Sequence, residues 1–362
     1  MIHAELMQKV LQLARLGHGK VLPNPMVGCL IYKNKEIVGK GWHKKYGDDH
    51  AEIEAINDCK KKFGEKKALN LIKGSTFIVN LEPCSIEQNT PPCCQTLIDL
   101  KIKKVICGTK DPNPKINGNG IKRLRSAGIE VETDCLKDEC QNLNKVFFTN
   151  QLLNRPFITL KFAQSLDQKI GKRQTRQTIS NDLSRADVQR IRAEHQSILI
   201  GSKTLIADNP KLTIRNKKVS NKMQPIKIVL GNISIDIEKK NIFKNYSKII
   251  FGSSKKINIP KKYLINNVEN IILNKKEFLG LLMQELMQRD IKSVLVEGGS
   301  KILSSFIKGN YFDELIVYTA PKLIGSSGIE ALDKKANKSL NRLEVNSIEN
   351  FDDDIKVKYV NN

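Results

Sequence analysis

Residues 76–94, TFIVNLEPCSIEQNTPPCC, decide the fold of the first half of the chain. The β-branched apolar start, Thr76 to Leu81, predicts a buried strand, and Pro92 to Leu100 predicts a helix, because proline is tolerated at a helix start. One Pro-Cys pair follows the strand and a second opens the helix. Upstream, His50-Ala51-Glu52 lies at the start of another predicted helix, 49–62. These strand and helix ends are expected to bring one histidine and two cysteines together.

This set of side chains predicts a zinc site with catalytic chemistry. Zinc in enzymes takes three protein ligands and keeps one position open for a water, whose pKa it lowers to near neutral. We predict His50, Cys84 and Cys93 as the ligands. Glu52 is predicted to carry protons between the water and a leaving amine. Cys93 is preferred to Cys94 because a proline directly precedes it, as in the first pair. The alternative is that both cysteines are ordinary buried thiols.

Two further side chains in the first half are candidates for holding a substrate. His43 follows Gly41-Trp42, and Asn24 lies between two prolines. A histidine can bind or orient a ligand near neutral pH, and an asparagine amide can hydrogen-bond the edge of a pyrimidine. The alternatives are a core histidine and a turn asparagine.

Strands and helices alternate along the first half. The other elements predicted there are a helix at 4–16, a hairpin formed by 27–32 and 36–41, a strand at 104–107, a helix at 120–127 and a strand at 129–132. This alternation favours an α/β layered domain. With 362 residues the chain is long enough for two domains, and we place the boundary within 150–155.

The second half has its own α/β pattern. The predicted strands are 157–161, 197–200, 226–230, 248–251, 293–296, 314–318 and 355–359, and the predicted helices are 182–193, 278–288 and 302–307. The last two strands are expected to close the sheet. Residues 216–224 and 253–262 are rich in Lys, Asn and Ser, which is typical of surface loops.

The chain has a formal net charge of +23, from 61 Lys+Arg and 38 Asp+Glu. Because lysine is scattered and not gathered in a stripe, we favour a lysine-rich composition over a nucleic-acid-binding surface. The first residues lack a signal-peptide pattern, and no apolar run is long enough to span a membrane. We therefore expect a cytoplasmic protein whose eight cysteines are reduced thiols or metal ligands.

Two glycine-containing turns in the second half are candidate phosphate sites. Gly298-Gly299 lies between a predicted strand and helix, and Gly201-Ser202-Lys203-Thr204 follows another strand. Glycines let the backbone approach a ligand, and free N–H groups at a helix start bind phosphate. A tight turn without a ligand is the alternative. No Gly-x-Gly-x-x-Gly follows the first strand of this half, which disfavours an ordinary Rossmann domain.

These motifs resemble those of the bifunctional riboflavin-biosynthesis deaminase/reductase family. The resemblance covers nearly the whole chain, and its motifs occur in both halves in the family's order. The matching stretches are Pro23-Asn24-Pro25-Met26-Val27-Gly28, His50-Ala51-Glu52, Glu82-Pro83-Cys84-Ser85, Thr90-Pro91-Pro92-Cys93-Cys94, Lys110-Asp111-Pro112-Asn113-Pro114, Ser165-Leu166-Asp167, Ala207-Asp208-Asn209-Pro210 and Asp313-Glu314-Leu315-Ile316-Val317-Tyr318. The long spacing between Cys84 and Cys93 also resembles this family, whereas cytidine deaminases usually show Pro-Cys-x-x-Cys.

The resemblance implies two successive reactions in one α/β chain. In residues 1–150, a cytidine-deaminase-like domain would use zinc, with Glu52 as proton donor, to remove an amine from 2,5-diamino-6-(5-phosphoribosylamino)pyrimidin-4-one. In residues 151–362, a domain resembling dihydrofolate reductase would use NADPH to reduce the ribosyl group of 5-amino-6-(5-phosphoribosylamino)uracil to ribityl. The implied partner is a phosphorylated pyrimidine, with no nucleic acid and no membrane. The sequence allows a homo-oligomer.

The resemblance also implies site residues in the second half. NADPH would lie against Ala163, Thr178, Thr204, Asp208, Gly299, Ser300, Lys301, Ile302, Leu303, Ser304 and Ser305. Substrate would contact Arg176, Arg192, Leu212, Arg215 and Glu297. Arg192 and Arg215 suit a ribose phosphate, because a guanidinium can donate two hydrogen bonds to one phosphate.

The chain departs from the family pattern at three places. Ile86-Glu87-Gln88-Asn89 replaces two histidines, a glycine and a basic residue that is expected to meet the substrate phosphate. Thr178 replaces a tryptophan, and Arg176 replaces a serine. A reductase with a weakened or redirected deaminase is therefore a second hypothesis, and an RNA-binding deaminase-like protein that uses the +23 charge is a third. Lys172 and Arg173 are basic candidates for selecting NADPH over NADH.

Overall fold

The structure, a computed structural model, has two compact units. The first is Met1–Asn154 and the second is Arg155–Asn362. The structure describes residues 2–86, 91–172, 178–215, 224–233, 237, 239–245, 247–259, 267–273, 277–333 and 343–361. Within these residues, none of the helices combines the length and the apolar character needed to cross a bilayer.

The first unit contains five strands and seven helices among its described residues. The strands are β1 (Gly28–Lys33), β2 (Glu36–Trp42), β3 (Thr76–Val79), β4 (Lys104–Cys107) and β5 (Glu130–Glu132). The helices are α1 (Ile2–Arg15), α2 (Ala51–Phe63), α3 (Glu65–Ile72), α4 (Cys93–Asp99), α5 (Asn119–Ser126), α6 (Lys137–Leu143) and α7 (Lys145–Leu153). The sheet has the order β2-β1-β3-β4-β5, in which β1 is antiparallel to both neighbours and β3, β4 and β5 are parallel.

Side chains of this sheet alternate between two buried faces. Leu30, Ile78 and Ile106 pack with α1 and α6 on one face. Their strand neighbours, among them Ile31 and Phe77, pack with α2, α3 and α4 on the other. The sheet is therefore the middle of three layers, and α2 and α4 share one face. This shared face places the starts of α2 and α4 near each other.

Close packing of β2 against α2 depends on Gly41. A Cβ at this position would lie 2.3 Å from the backbone nitrogen of Ala55 and 2.4 Å from the carbonyl oxygen of Ala51. Since backbone atoms cannot give way as a flexible side chain can, we expect Gly41→Ala to lower the free energy of unfolding of this unit by about 2 kcal/mol or more.

Fluorescence of Trp42, the chain's single tryptophan, would follow denaturant unfolding of this unit. Lys40→Ala is the matched control, because Lys40 is the exposed neighbour on the same strand. A Gly41→Ala variant as stable as the control would contradict the packing described here.

The described residues of the second unit form two sheets. The strands of the large sheet are β6 (Phe157–Ser165), β8 (Ser197–Gly201), β9 (Ile226–Leu230), β10 (Ile249–Ser253), β11 (Val268–Ile272), β12 (Ser293–Val296), β13 (Glu314–Ala320), β15 (Glu344–Phe351) and β16 (Asp354–Val360). β7 (Lys169–Lys172) and β14 (Gly328–Glu330) form a separate pair. The helices are α8 (Asp182–Ala193), α9 (Ser202–Asp208), α10 (Phe278–Gln288) and α11 (Ser300–Lys308), and Asn241–Phe243 is a 3₁₀ turn.

The large sheet has the order β11-β10-β9-β8-β12-β6-β13-β16-β15. The first seven of these strands are parallel, and β16 and β15 are antiparallel additions. Because parallel strands end at the same edge, the turns after β8, β9 and β12 lie at one edge of the sheet. Open α/β sheets bind their ligands at this carboxyl edge.

The α/β architecture predicted from the sequence is confirmed in both halves, but two details are wrong. The strand predicted at 355–359, which is β16, is not the last strand of the sheet. β15 pairs with its outer side and forms the edge. β15 is mostly exposed and polar, so it lacks the apolar pattern of a buried strand. His50 does not begin a helix, since it has extended backbone (φ −70°, ψ 161°) and α2 begins at Ala51. Much of the predicted loop 216–224 lies outside the described residues.

Candidate functional site

Three side chains converge at the starts of α2 and α4 and in the loop after β3. The Nδ1 atom of His50 lies 3.2 Å from Sγ of Cys93 and 3.5 Å from Sγ of Cys84. The backbone N–H of Cys93 donates to the sulfur of Cys84 over 3.2 Å. All three donor atoms lie within 4.8 Å of one another. The structure thus brings together the three predicted ligands, while it packs Cys94 into the apolar core.

The three groups shift one another's protonation. Hydrogen bonds with Cys93 and His50 lower the pKa of Cys84 to about 4. The hydrogen bond with Cys84 in turn raises the pKa of His50 to about 9. The pKa of Cys93 is raised by its hydrogen bond with Cys84 and by burial. These hydrogen bonds favour the thiolate form of Cys84, and thiolate is the form of cysteine that binds metals.

This donor set fits zinc. One imidazole nitrogen and two cysteine sulfurs form a ligand set found in catalytic zinc sites that keep a fourth position open. Cys93 is the first residue of α4, where the helix dipole favours a negative charge. Glu52, in the first turn of α2, is 3% exposed, and burial raises its pKa. A buried carboxyl group with a raised pKa holds a proton more readily than an exposed one, which suits a group that takes up and releases a proton during a reaction.

His43 and Asn24 lie against each other beside these ligands. The His43 ring is 3% exposed, and its centroid lies 5.7 Å from that of His50. Its Nδ1–H donates to the carbonyl of Asp49 over 3.0 Å, so Nε2 accepts from the amide of Asn24 over 3.1 Å. Burial lowers the pKa of His43, which favours this neutral form. The contact fixes the Asn24 amide and leaves its oxygen as an acceptor for a ligand.

Glu82 is a buried positioning residue for which no role is predicted from the sequence, although it begins one of the stretches that match the family. Its two carboxylate oxygens accept four backbone N–H groups at 2.8 to 3.2 Å, from Asp111, Gly118, Gly120 and Ile121. A Cβ at Gly120 would lie only 2.2 Å from the carbonyl oxygen of residue 83. These contacts hold the loop after β4 against the loop that carries the first Pro-Cys pair. A carboxylate following an apolar strand is the signal that could have identified it.

In the second unit, Glu297 lies between two cations just after β12. Nε and Nη2 of Arg192 on α8 donate to its two oxygens over 3.1 and 2.5 Å. Nη1 of Arg192 donates to the carbonyl of Thr213 over 2.9 Å. Nζ of Lys161 on β6 lies 3.5 Å from Glu297. None of the three charged side chains is more than 14% exposed. The family resemblance predicts Arg192 and Glu297 as site residues but not Lys161, whose signal in the sequence is a lone charge inside an apolar strand.

The charge of Glu297 makes the stability of this unit pH-dependent. Burial alone would raise the pKa of Glu297, but the charges of Lys161 and Arg192 outweigh burial and lower it to about 2. A carboxyl group with a depressed pKa stabilises the fold above its unfolded-state pKa and loses that contribution as the pH falls through its folded-state pKa. We expect the stability difference between wild type and Glu297→Gln to shrink by about 3 kcal/mol between pH ~4.5 and pH ~2.

Calorimetric unfolding of both proteins across this pH range would measure the difference. A difference that stays constant with pH would show that Glu297 is not held as a carboxylate by its two neighbours.

A cavity of about 320 Å³ lies beside these charges, lined by Arg192, Asn209, Pro210, Lys211, Leu212, Thr213, Arg215 and Asn241. Three predicted substrate residues therefore line one cavity. Leu212 is buried and has a φ of 49°, a left-handed conformation that is costly for leucine and is concentrated at functional sites. The guanidinium of Arg215 has no partner among the described residues, because its contact with Gln189 is made by the backbone N–H. It is therefore available for an anion.

The two glycine-containing turns meet at the carboxyl edge of the sheet. α11 begins directly after Gly299. A Cβ at Gly298 would lie 2.6 Å from Cβ of Ile302, so glycine lets the turn pack against its own helix. The Cβ position of Gly299 is 3.4 Å from Oγ1 of Thr204 on α9. Backbone N–H groups at the start of α11 and the hydroxyl of Thr204 thus face one region.

Some predicted cofactor residues have side chains that are packed in the core or already hydrogen-bonded. Leu303 packs in the core, and the hydroxyl of Ser304 accepts the backbone N–H of Asp333 over 2.8 Å. The hydroxyl of Ser305 donates to the carbonyl of Lys301 over 2.8 Å. Leu303 therefore has no polar side-chain atom for NADPH, and the hydroxyl of Ser304 is buried and already hydrogen-bonded.

The remaining predicted residues are distributed as follows. Ala163 on β6 packs with α8, and Asp208 is exposed at the end of α9. Thr178 lines a second cavity of about 400 Å³, whose walls include Lys322. Arg176 lies outside the described residues, as do Arg173 and, in the altered loop, Glu87, Gln88 and Asn89.

Two family models match the chain. The cytidine and deoxycytidylate deaminase zinc-binding region matches residues 1–109, which contain His50, Cys84 and Cys93. The RibD C-terminal domain matches residues 156–357. The two matches fall in the two compact units.

Full-length relatives show the same pairing of domains. The riboflavin biosynthesis protein RibD of Actinobacillus pleuropneumoniae is 35% identical over 99% of this chain and 96% of its own length. The RibD protein of Haemophilus influenzae is 36% identical over 98% and 96%. Among solved structures, Acinetobacter baumannii RibD has a TM-score of 0.85 at 29% identity, covering 99% of this chain and 98% of that one. A Thermotoga maritima protein, named a diaminohydroxyphosphoribosylaminopyrimidine deaminase/5-amino-6-(5-phosphoribosylamino)uracil reductase, has a TM-score of 0.85 at 31% identity, with the same coverage.

Proposed function

The chain belongs to the RibD family of riboflavin-biosynthesis proteins, and from that premise we propose which residues carry its two reactions. It is a bifunctional enzyme with a zinc-dependent deaminase domain and an NADPH-dependent reductase domain. We assign deamination to residues 1–150 and reduction to residues 151–362. The observation that carries the assignment is the set of three metal-binding atoms within 4.8 Å beside the buried Glu52.

The proposed deaminase substrate is 2,5-diamino-6-(5-phosphoribosylamino)pyrimidin-4-one, in keeping with the activity for which the Thermotoga relative is named. His50, Cys84 and Cys93 would hold zinc, which when bound lowers the pKa of a water molecule. Glu52 takes a proton from the attacking water and delivers it to the amine as the C–N bond breaks. Ammonia leaves and a ring carbonyl remains. Asn24, fixed by its contact with His43, would accept a hydrogen bond from the pyrimidine.

The proposed reductase substrate is 5-amino-6-(5-phosphoribosylamino)uracil, the product of the first reaction. When bound, NADPH would supply a hydride for the imine carbon of the open-chain substrate, and a proton from solvent would complete the amine at the imine nitrogen. The residues of the protein would orient the substrate for this reduction. Arg215 would bind the ribose phosphate, because its guanidinium is exposed and available beside the cavity. Arg192, held by Glu297 and Thr213, would form the polar wall of the site. Leu212 would contact the substrate from the cavity lining.

We also propose that the protein acts in the cytoplasm on a phosphorylated pyrimidine and not on nucleic acid. All eight cysteines are free thiols, as expected in a reducing compartment. The family assignment accounts for the chain without an RNA partner. The chain also allows a homo-oligomer, which light scattering would measure.

Metal removal separates the two proposed reactions. We expect a chelator to stop ammonia release from the diaminopyrimidine, because three ligands for one zinc lie in the first unit. NADPH oxidation with the uracil substrate is expected to continue at its original rate, because Lys161, Arg192 and Glu297 need no metal. Added zinc should restore ammonia release.

The control is protein treated with chelator already saturated with zinc. If chelation stopped both reactions, or neither, the assignment of zinc to deamination alone would be wrong. A zinc-replete protein that reduces the uracil but releases no ammonia would favour the second hypothesis, in which the altered loop 86–89 has weakened the deaminase.

A further inference from the structure

The loop at residues 24–27 carries Asn24 beside the metal ligands. Residues 25–27 have no regular secondary structure, and β1 begins only at Gly28. The prolines at positions 23 and 25 have no N–H to donate. Backbone polar groups of a partly buried loop need partners elsewhere in the molecule. In this loop, two asparagine side chains from distant parts of the first unit supply them.

Asn144 and Asn80 form an asparagine clamp on the backbone of residues 26–28. Asn144 accepts the backbone N–H of Met26 over 2.8 Å and donates its own amide N–H to the carbonyl of Met26 over 2.9 Å. Asn80, directly after β3, donates to the same carbonyl over 3.0 Å and accepts the backbone N–H of Gly28 over 2.8 Å. Both asparagines are buried. Four hydrogen bonds therefore fix this short stretch of chain.

The clamp restrains Asn24 through the backbone, while His43 restrains it through the side chain. Asn24 precedes Met26 by two residues, and Pro25 between them has one backbone dihedral fixed by its ring. The ring of His43 contacts the Asn24 amide over 3.1 Å, and the backbone N–H of His43 donates to the carbonyl of Val27 over 2.9 Å. A group that binds substrate must be held within about 0.5 Å of its productive position. The clamp and His43 together provide such a restraint.

The clamp reaches Asn24 from outside the zinc site. Asn144 lies between α6 and α7, beyond the zinc-binding region at residues 1–109. Among the described residues, neither Asn144 nor Asn80 hydrogen-bonds a predicted zinc ligand. Any effect of the clamp on deamination must therefore pass through the loop that carries Asn24.

We propose that Asn144 and Asn80 are positioning residues for deamination, which orient the pyrimidine by fixing Asn24. This inference rests on the proposed deaminase function and on Asn24 as an acceptor for the substrate. It differs from a purely stabilising role in one respect. Loss of the clamp should impair deamination only while Asn24 is present to be misplaced.

The test is a double-substitution cycle on the full-length, zinc-replete protein, with ammonia release from the diaminopyrimidine as the readout. Asn144→Asp keeps the side-chain shape, but an ionised aspartate can only accept and cannot donate to the Met26 carbonyl. We expect kcat/KM to fall about 10-fold, the effect of one lost hydrogen bond to substrate. Asn24→Ala should cause the same loss. The double variant should lose about 10-fold in total and not about 100-fold, because both changes remove one contact.

Asn142→Asp is the matched control, because Asn142 is exposed on α6 and its side chain makes no hydrogen bond among the described residues. It adds the same charge and should leave ammonia release at the wild-type rate. Zinc content and NADPH oxidation with the uracil substrate should stay at wild-type values in every variant. Asn80→Asp carries the same expectations as Asn144→Asp from the other half of the clamp.

Hydrogen exchange of the wild-type protein tests the clamp without any substitution. The N–H of Met26 should be protected from exchange although it belongs to no strand or helix, because it is bonded to a buried side chain. An unprotected Met26 N–H would overturn the clamp even if the aspartate variants failed to fold.

The kinetic outcomes separate this inference from the proposed function. A double variant about 100-fold slower than wild type would show two independent effects, and would overturn the positioning role while leaving the deaminase assignment intact. Asn144→Asp as active as Asn142→Asp, or Asn24→Ala as active as wild type, would also overturn it. Wild-type protein that releases no ammonia would overturn the proposed deaminase function together with this inference.

Discussion

Glu52→Gln is expected to lower the rate of ammonia release by about 10³-fold, because a positioned acid–base group contributes on that scale. Glutamine keeps the shape of the buried side chain but can neither accept a proton from water nor deliver one to the departing amine. Glu52 is 3% exposed, so bulk water has little access to replace it. The zinc content and the rate of NADPH oxidation with the uracil substrate should remain at wild-type values.

Glu54→Gln provides the matched control for this prediction. Glu54 lies one half-turn along α2 and forms an ion pair with Lys44 over 2.5 Å, away from the metal ligands. Its loss should leave ammonia release unchanged within experimental error, since surface ion pairs contribute little. If Glu52→Gln released ammonia as fast as Glu54→Gln does, Glu52 would not be the proton carrier. If it lost zinc, its effect would be on the metal site and not on proton transfer.

Arg192→Met is expected to have the second-largest effect, this time on the reductase. The change removes three hydrogen bonds and leaves Glu297 with Lys161 as its remaining cation, at 3.5 Å. Removing one partner of a buried ion pair costs about 3 kcal/mol of folding free energy. Because Arg192 also lines the cavity, we expect kcat/KM for the uracil substrate to fall about 100-fold, while ammonia release is unchanged.

Arg185→Met is the control on the same helix. Arg185 is 41% exposed and pairs with the exposed Asp182 at the helix start, so its loss should change stability by less than about 0.5 kcal/mol. Calorimetry and steady-state kinetics would be measured on both variants. Equal effects of the two substitutions would mean that Arg192 is an ordinary surface charge.

The metal site could be predicted from the sequence because its chemistry is concentrated in short motifs. His50, Cys84 and Cys93 each sit at the end of a predictable element, and few functions require that combination. The pattern placed His50 inside the helix, whereas it precedes α2, because a residue that caps a helix and one that begins it are hard to distinguish from apolar spacing. From this position the ring of His50 still reaches both cysteines.

The residues that support the sites were not predictable in the same way. Glu82 is fixed by backbone groups that lie about thirty to forty positions later in the chain, and Lys161 meets Glu297 only because β6 and β12 are neighbours in the sheet. Such partners depend on strand order, which local periodicity does not encode. β15 was missed for a related reason: its polar, exposed side chains carry no signal of burial, and its place is set by pairing with β16.

One coupled measurement would show whether the chain deaminates and then reduces the same pyrimidine. Purified, zinc-replete protein would receive the phosphoribosyl diaminopyrimidine and NADPH, and ammonia release and NADPH oxidation would be recorded together. We predict one NADPH oxidised for each ammonia released, with ammonia appearing first. NADPH oxidation without ammonia release, or ammonia release without any NADPH oxidation, would contradict the proposal that this chain carries out both reactions in sequence.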